Sequence, residues 1–347
     1  MALRFIQAGL GNRGGTWAAL IAAHPRACLV AAVDPDPARR DAFAARHPGV
    51  PTHVALDQAL HAVRADAVLL ATPPDGHLAQ CRLAFAARLP VLAEKPLSLD
   101  PAEAEAIVLE AEAAGVALTV GLNFRYLPVT LEKRRLVAEA AFGTPGFAQM
   151  SYQRNRDGRA PRLNRYPLSM RHPMMLEQTI HHLDLIRFVY RREARFVSCR
   201  TWNPPWSMYA HDSNVACLLT LEDGMEVSYL GTWTGGWNTL RFEWRTDGPG
   251  GVVMQRALFD DLAVASTTAP VLSPVPLAAC EPFRDDTLAL LDAFVDAIGA
   301  GQAPPCGGRD HLRTLGLCFA AIRAAESGTR IDVDAFLRDA MPTAFAA

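Results

Sequence analysis

Three short stretches carry residues able to do chemistry at the spacing it needs. Gly9-Leu10-Gly11-Asn12-Arg13-Gly14 is a G-x-G-x-x-G turn. "AEKP", Ala93 to Pro96, places Glu94 and Lys95 at the end of an apolar run. "MMLEQTIHHLDLIRF", Met174 to Phe188, sets His181 and His182 between Glu177 and Asp184. Glycines in such a turn let backbone N–H groups approach a pyrophosphate at a helix N-terminus. A lysine at a strand end can donate to a substrate oxygen and stabilise negative charge developing there. Imidazole is the side chain whose ordinary titration lies nearest neutrality, which suits proton transfer.

The glycine turn has the context that gives it meaning. It follows the run "LRFIQAG" and precedes a helical segment, and Asp34 ends the next apolar run. Asp34 is placed to accept hydrogen bonds from the adenine-ribose hydroxyls, which favours NAD. Arg39 and Arg40, just downstream, are the residues that could pair with a 2′-phosphate, so NADP is the alternative cofactor. "TPPDGH", Thr72 to His77, follows "DAVLLAT", and "AEKP" closes "PVLAE". Open parallel sheets bind ligands beyond the carboxyl ends of their strands. The expected cofactor contacts are therefore Gly9, Gly11, Asn12, Arg13, Gly14, Asp34, Thr72, Pro73, Pro74, His77, Glu94, Lys95 and Asn123.

The elements that must position these residues are legible up to about residue 120. Short, almost continuously apolar runs alternate with Ala-rich helical stretches such as "PDPARRDAFAARH" and "DPAEAEAIVLEAEAAG". In the second of these Asp100 reads as an N-cap, Pro101 as the first helical residue and Gly115 as the C-cap. This alternation means a doubly wound parallel sheet, an α/β Rossmann domain over residues 1–122. From 123 to 347 the pattern becomes that of an α+β domain with an open, mostly antiparallel sheet. "EDG" and "TDGPGG" mark hairpins there. Closing helices over about 285–327 are expected near the domain junction.

Composition narrows the function classes. The chain has 347 residues, half of them hydrophobic, and a formal charge of -2. No basic stripe points to nucleic acid, and no apolar run is long enough to span a membrane. The opening residues lack a signal-peptide pattern. Seven scattered cysteines without zinc spacing read as reduced thiols of a cytoplasmic protein.

These motifs together resemble the glucose–fructose oxidoreductase / inositol dehydrogenase / rhizopine-catabolism (Gfo/Idh/MocA) family. The resemblance rests on "GLGNRG", "TPPDGH", "AEKPLSLD", "GLNFRYLP" and "IHHLDLIRF", and extends to the closing helices. It implies hydride transfer between a secondary hydroxyl carbon of a sugar, sugar acid or cyclitol and the nicotinamide. It matches the family lysine to Lys95, the family histidine to His181 and the following aspartate to Asp184. Where many relatives carry an aspartate four residues before the histidine, this chain has Glu177. Where they often carry glycine, it has Thr179.

On α-helical spacing Glu177, His181 and Asp184 share one face, with His182 turned away. His181 is then the proton-transfer residue, Lys95 the residue that holds the reacting oxygen, and Glu177 a carboxylate that orients the imidazole or binds substrate. Asp184 is read as a support and His182 as packing. No metal site is expected, because E-x-x-x-H-x-x-D on one helix is a poor metal signature. Arg125, Arg165, Glu177 and Trp206 are the candidate substrate contacts. The segment holding Arg156, Arg159, Arg162 and Arg165 is either a lid or a solvated loop. Most of the tryptophans between 202 and 244 are expected to pack against the sheet. Other readings are an enzyme that oxidises, eliminates and reduces again with recycled NAD, and a non-catalytic NAD(P)-binding regulator. The expected partners are a polyol or sugar substrate and a second copy, as a homodimer or homotetramer.

Overall fold

The computed structural model describes residues 2–139, 142–160 and 163–346. Arg162 lies outside them. The chain forms two compact units. The first is Met1–Asn123 with Phe283–Leu312, and the second is Phe124–Pro282 with Arg313–Phe345. The first boundary falls one residue beyond the expected one. Phe283–Leu312, which includes part of the closing helices expected near the junction, groups with the first unit.

In the first unit β1 (Leu3–Ala8), β2 (Ala27–Val33), β3 (Thr52–His53), β4 (Ala67–Leu70), β5 (Val91–Ala93) and β6 (Leu118–Val120) form a parallel sheet in the order β3-β2-β1-β4-β5-β6. The strands are buried on both faces, which is why their sequences are almost uninterruptedly apolar. Helices α1 (Asn12–Ala23), α2 (Pro37–Arg46), α3 (Leu56–Ala62), α4 (His77–Ala86) and α5 (Pro101–Ala114) connect them. Asp100 caps α5 by accepting from the Glu103 N–H at 3.0 Å, and Gly115 ends it at φ 64°. Later in the chain, α6 (Pro128–Ala138) and α7 (Ile180–Tyr190) belong to the second unit, and α8 (Asp285–Ala300) returns to the first. Phe294 of α8 meets Phe5 of β1 with ring centroids 5.9 Å apart.

The second unit holds a mixed sheet of β7 (Phe147–Gln153), β8 (Ala194–Trp202), β9 (Asn214–Leu221), β10 (Glu226–Thr232), β11 (Arg241–Gly248), β12 (Gly251–Gln255), β13 (Leu262–Ser266), β14 (Ser273–Val275) and β15 (Ile331–Asp332). The order is β14-β13-β12-β11-β7-β10-β9-β8-β15, antiparallel except for β7 beside β10. The two expected hairpins are the β9–β10 and β11–β12 turns. Burial alternates along β7 and β11, so one face packs and the other does not. Lys133 of α6 is fully buried on the packed face. Its ammonium donates to the carbonyls of Trp244 and Val253 at 2.9 and 3.3 Å and lies over the Trp244 ring. Helix α9 (Gly308–Ser327) and α10 (Val333–Ala340) follow.

Two helices carried no sequence expectation. Helix α6 begins at Pro128, the favoured first helical position, and α10 is capped by Asp332. The helix holding the histidines also differs. Met174–Thr179 is a π-helix, and α-helical geometry starts only at Ile180. Glu177 therefore precedes His181 from a wider turn than α-spacing assumes.

Candidate active site

In the first unit the glycine turn is shaped by contacts that leave no room for side chains. Gly9 has φ +92°, and a Cβ on it would stand 2.4 Å from the Ala71 carbonyl oxygen. A Cβ on Gly14 would stand 2.1 Å from the Gly9 oxygen. Over Gly11 the space is open, with only the Arg39 guanidinium near, at 3.8 Å. Helix α1 starts there with no side-chain cap and no acidic residue in its first turn. Unshielded N–H groups and an open approach suit the pyrophosphate of a dinucleotide. Gln7 holds the turn from below, its amide N–H donating to the oxygens of Gly9 and Gly14 at 3.1 and 2.8 Å. Its signal was a lone polar residue inside an apolar strand.

Asp34, just past β2, is buried. It accepts from the N–H of Leu10 and of Asp36, each at 2.9 Å. Arg39 lies 3.6 Å from Asp34 and 3.5 Å from Asp36, and Arg40 donates to the backbone oxygens of Asp34 and Pro35. Both arginines thus already have acceptors in the protein. Asn12 and Pro73 are exposed and Pro74 is buried. The Thr72 hydroxyl donates to Gln80 at 2.6 Å.

Several expected cofactor contacts also hold the turn and strand ends in place. His77 is completely buried, with Nδ1 3.1 Å from the Leu97 oxygen and Nε2 3.2 Å from the Thr72 oxygen. It ties the Thr72 loop to the segment after Lys95, and burial lowers its pKa. Arg13 turns to Glu94, donating through Nε at 2.6 Å, and to the Thr287 hydroxyl at 3.1 Å. Trp17 Nε1 donates to the same Glu94 oxygen at 2.6 Å. Burial would push the Glu94 carboxyl up, but Arg13, Trp17 and Lys95 hold it below the usual carboxylate range. A Cβ on Gly121 beside it would lie 3.3 Å from the carboxylate, a tight contact. The Asn123 amide donates to Asp286 in α8. Burial raises the Asp286 pKa. Thr287 and Asp286 carried no sequence signal, because they enter this unit from the far end of the chain. Lys95 is half-buried just past β5.

In the second unit His181 is buried in the first turn of α7, stacked on Phe124 with centroids 4.4 Å apart. His182 is fully buried. The Gln178 amide lies 3.2 Å from its Nε2, which places the ring proton on Nδ1, 2.8 Å from the Tyr229 hydroxyl. Burial drives its pKa down to about 3. Asp184 is bound by Arg125 at 2.7 and 2.5 Å and by the Thr314 hydroxyl at 2.8 Å. Arg125, expected at nicotinamide or substrate, is buried and pairs with Asp184. Glu177 is half-buried and accepts from the Tyr166 hydroxyl at 2.5 Å.

The outlying candidates divide. Arg165 and Arg159 are exposed. Arg156 lies over the Trp233 ring and bonds Tyr209. Trp206 is 73% exposed, its indole N–H on the Thr234 oxygen. Trp233 and Trp244 are buried as expected of sheet packing, but Trp202, Trp206 and Trp237 are exposed. Among the described residues no group of three or more His, Cys, Asp or Glu side chains is placed to hold a metal ion. None of the helices is long and apolar enough to cross a membrane, again among the described residues.

Fold and glycine turn define a dinucleotide-binding architecture, and comparison with known proteins extends this to a family. Residues 3–122 match the model of an oxidoreductase family with an NAD-binding Rossmann fold, GFO/IDH/MocA, and residues 130–251 match the GFO/IDH/MocA C-terminal domain. The chain belongs to the GFO/IDH/MocA oxidoreductase family, and its first unit carries that family's NAD-binding domain. It is 26% identical to a D-apiose dehydrogenase of Paraburkholderia graminis, covering 79% of this chain and 74% of that one. It is 24% identical to an inositol 2-dehydrogenase of Rhizobium meliloti, covering 96% and 100%. Among solved structures it resembles an Agrobacterium radiobacter oxidoreductase in complex with NAD+, L-tartaric acid and magnesium, with a TM-score of 0.89 and 21% identity over 97% of this chain and 100% of that chain.

Proposed function

We propose that this enzyme oxidises a secondary hydroxyl of a sugar, sugar acid or cyclitol with NAD. The bound nicotinamide supplies the hydride acceptor. The observation that carries the reading is the helix start at His181. It puts an imidazole, backed by the Phe124 ring, one turn after a carboxylate that another hydroxyl holds in place. His181 takes the proton from the substrate hydroxyl. Lys95 donates to the reacting oxygen and favours its deprotonation by stabilising the alkoxide. Glu177 accepts a hydrogen bond from a substrate hydroxyl. The named relatives act on D-apiose and inositol, which supports a polyhydroxylated substrate.

The test is a panel of myo-inositol, D-xylose, D-glucose, D-apiose and D-gluconate. It is read by the near-ultraviolet absorbance of reduced nicotinamide with NAD and with NADP. Net reduction of NAD by at least one of these compounds is expected. No reduction across the panel contradicts the reading.

A further inference from the structure

We infer that Tyr229 is a positioning residue: its hydroxyl closes a hydrogen-bonded ring that fixes the π-helical turn carrying Glu177 at the angle at which Glu177 and His181 act together. This rests on the oxidoreductase reading above. Only Gln178, Thr179 and Ile180 separate Glu177 from His181. In this stretch the Ile180 N–H reaches back to the Met175 oxygen, five residues earlier. Such a turn is rare and occurs mostly as a single wide turn within an α-helix. The contacts around it therefore decide whether it forms here.

The ring begins and ends on neighbouring residues of that turn. The Gln178 amide donates to His182 Nε2 at 3.2 Å. With its proton on Nδ1, His182 donates to the Tyr229 hydroxyl oxygen at 2.8 Å. The Tyr229 proton then goes to the Thr179 hydroxyl oxygen, 3.0 Å away. Thr179, His182 and Tyr229 are each at most 2% exposed, so bulk water does not replace a partner lost from the ring. The His182 ring lies among Tyr152, Tyr229 and Phe242, with centroids 4.9, 5.6 and 5.9 Å away.

Strand β10 is shaped to receive the turn. Tyr229 and Gly231 lie two apart on its packed face. A Cβ on Gly231 would stand 2.3 Å from the Tyr229 hydroxyl oxygen and 2.4 Å from the Met174 methyl carbon. The glycine thus leaves the space filled by that hydroxyl and by the first residue of the π turn. The turn is held at its start through Met174 and at its end through Thr179, and Glu177 lies between the two. A misplacement of about 1 Å in reacting groups costs about 10²-fold in rate, so the rigidity of this turn bears on turnover and not on folding alone.

The experiment measures kcat and KM on the polyol from the panel that turns over fastest, at a temperature well below the unfolding midpoint of every variant. Tyr229→Phe should cut kcat about 10–100-fold, more than KM rises. The NAD dissociation constant, read by calorimetry, should stay within about threefold of wild type. Thr179→Val, nearly the same shape, should lose kcat in the same way, and Thr179→Ser, which keeps the hydroxyl, should recover most of it. Made in the His181→Ala background, Tyr229→Phe should cost less than about threefold, because residues that act as a unit are not additive. An equal loss in both backgrounds marks general distortion and overturns the inference. If Tyr229→Phe does not fold, Thr179→Val decides: a loss restored by Thr179→Ser supports the inference, and wild-type kcat overturns it. A panel in which nothing reduces NAD overturns the functional reading and this inference together. A polyol oxidised equally fast by wild type and Tyr229→Phe overturns this inference alone.

Discussion

Arg13 and Glu94 meet at 2.6 Å, joining the glycine turn at the start of the chain to the residue beside Lys95. Glu94 also takes the Trp17 indole proton. Removing one partner of a fully buried pair costs about 3–5 kcal/mol, and this pair, part-buried with Arg13 21% exposed, should cost less than that. Glu94→Ala is therefore expected to lower the urea midpoint. Glu94→Gln, which retains an acceptor oxygen, should lose less. Because the Glu94 pKa is depressed on folding, its contribution is present above the usual carboxylate range and is lost as pH falls through the folded value. Equal stability of Glu94→Ala and wild type at neutral pH would remove the pair from this role.

Gly11 and Gly14 make opposite predictions although both belong to one motif. A Cβ on Gly14 collides with the Gly9 oxygen at 2.1 Å, so Gly14→Ala should unfold or distort the turn itself. A Cβ on Gly11 meets only Arg39, at 3.8 Å. Gly11→Ala should stay within about 0.5 kcal/mol of wild-type stability. It should still weaken NAD binding, measured by calorimetry, by at least about tenfold. Wild-type NAD affinity in Gly11→Ala would mean that the dinucleotide does not approach this backbone.

His182 makes acid sensitivity measurable. Its pKa falls from 6.5 to about 3 on folding, so the unfolded chain binds a proton that the folded one refuses. Stability therefore drops as pH falls below about 6.5, by about 1.4 kcal/mol per unit from this group. Buried His77, also depressed, adds in the same direction. Urea titrations between pH 7 and pH 5 should show His182→Asn with a shallower slope than wild type. Parallel slopes would contradict a neutral buried imidazole.

The arginines near Asp34 bear on cofactor choice. Arg39 is already paired with two carboxylates and Arg40 with two carbonyl oxygens, while Asp34 would repel a 2′-phosphate. NAD should bind at least about tenfold tighter than NADP, and Asp34→Ser should narrow that ratio. Tighter binding of NADP by the wild type would reverse this assignment.

Much of this was legible before the structure. Continuous apolar runs marked the parallel strands, and Asp100, Pro101 and Gly115 marked a helix from cap to cap. The hairpins at "EDG" and "TDGPGG" were readable because turn chemistry is local. What escaped was set by distant contacts. Asp286 and Thr287 join the first unit after the chain has built most of the second, and spacing carries no trace of that return. The π-helical turn before His181 escaped because its α-like periodicity hides one wider ring of hydrogen bonds. Arg125 and His77 looked functional by type, and only the structure revealed Asp184 and two backbone carbonyls as their partners.

Lys95 and His181 carry the chemistry proposed here. On the best polyol from the panel, Lys95→Ala and His181→Ala should each cut kcat by about 10²–10⁴-fold. The NAD dissociation constant should stay within about threefold of wild type, a difference of about 0.7 kcal/mol. Near-wild-type turnover in either variant, with NAD bound normally, would contradict the account.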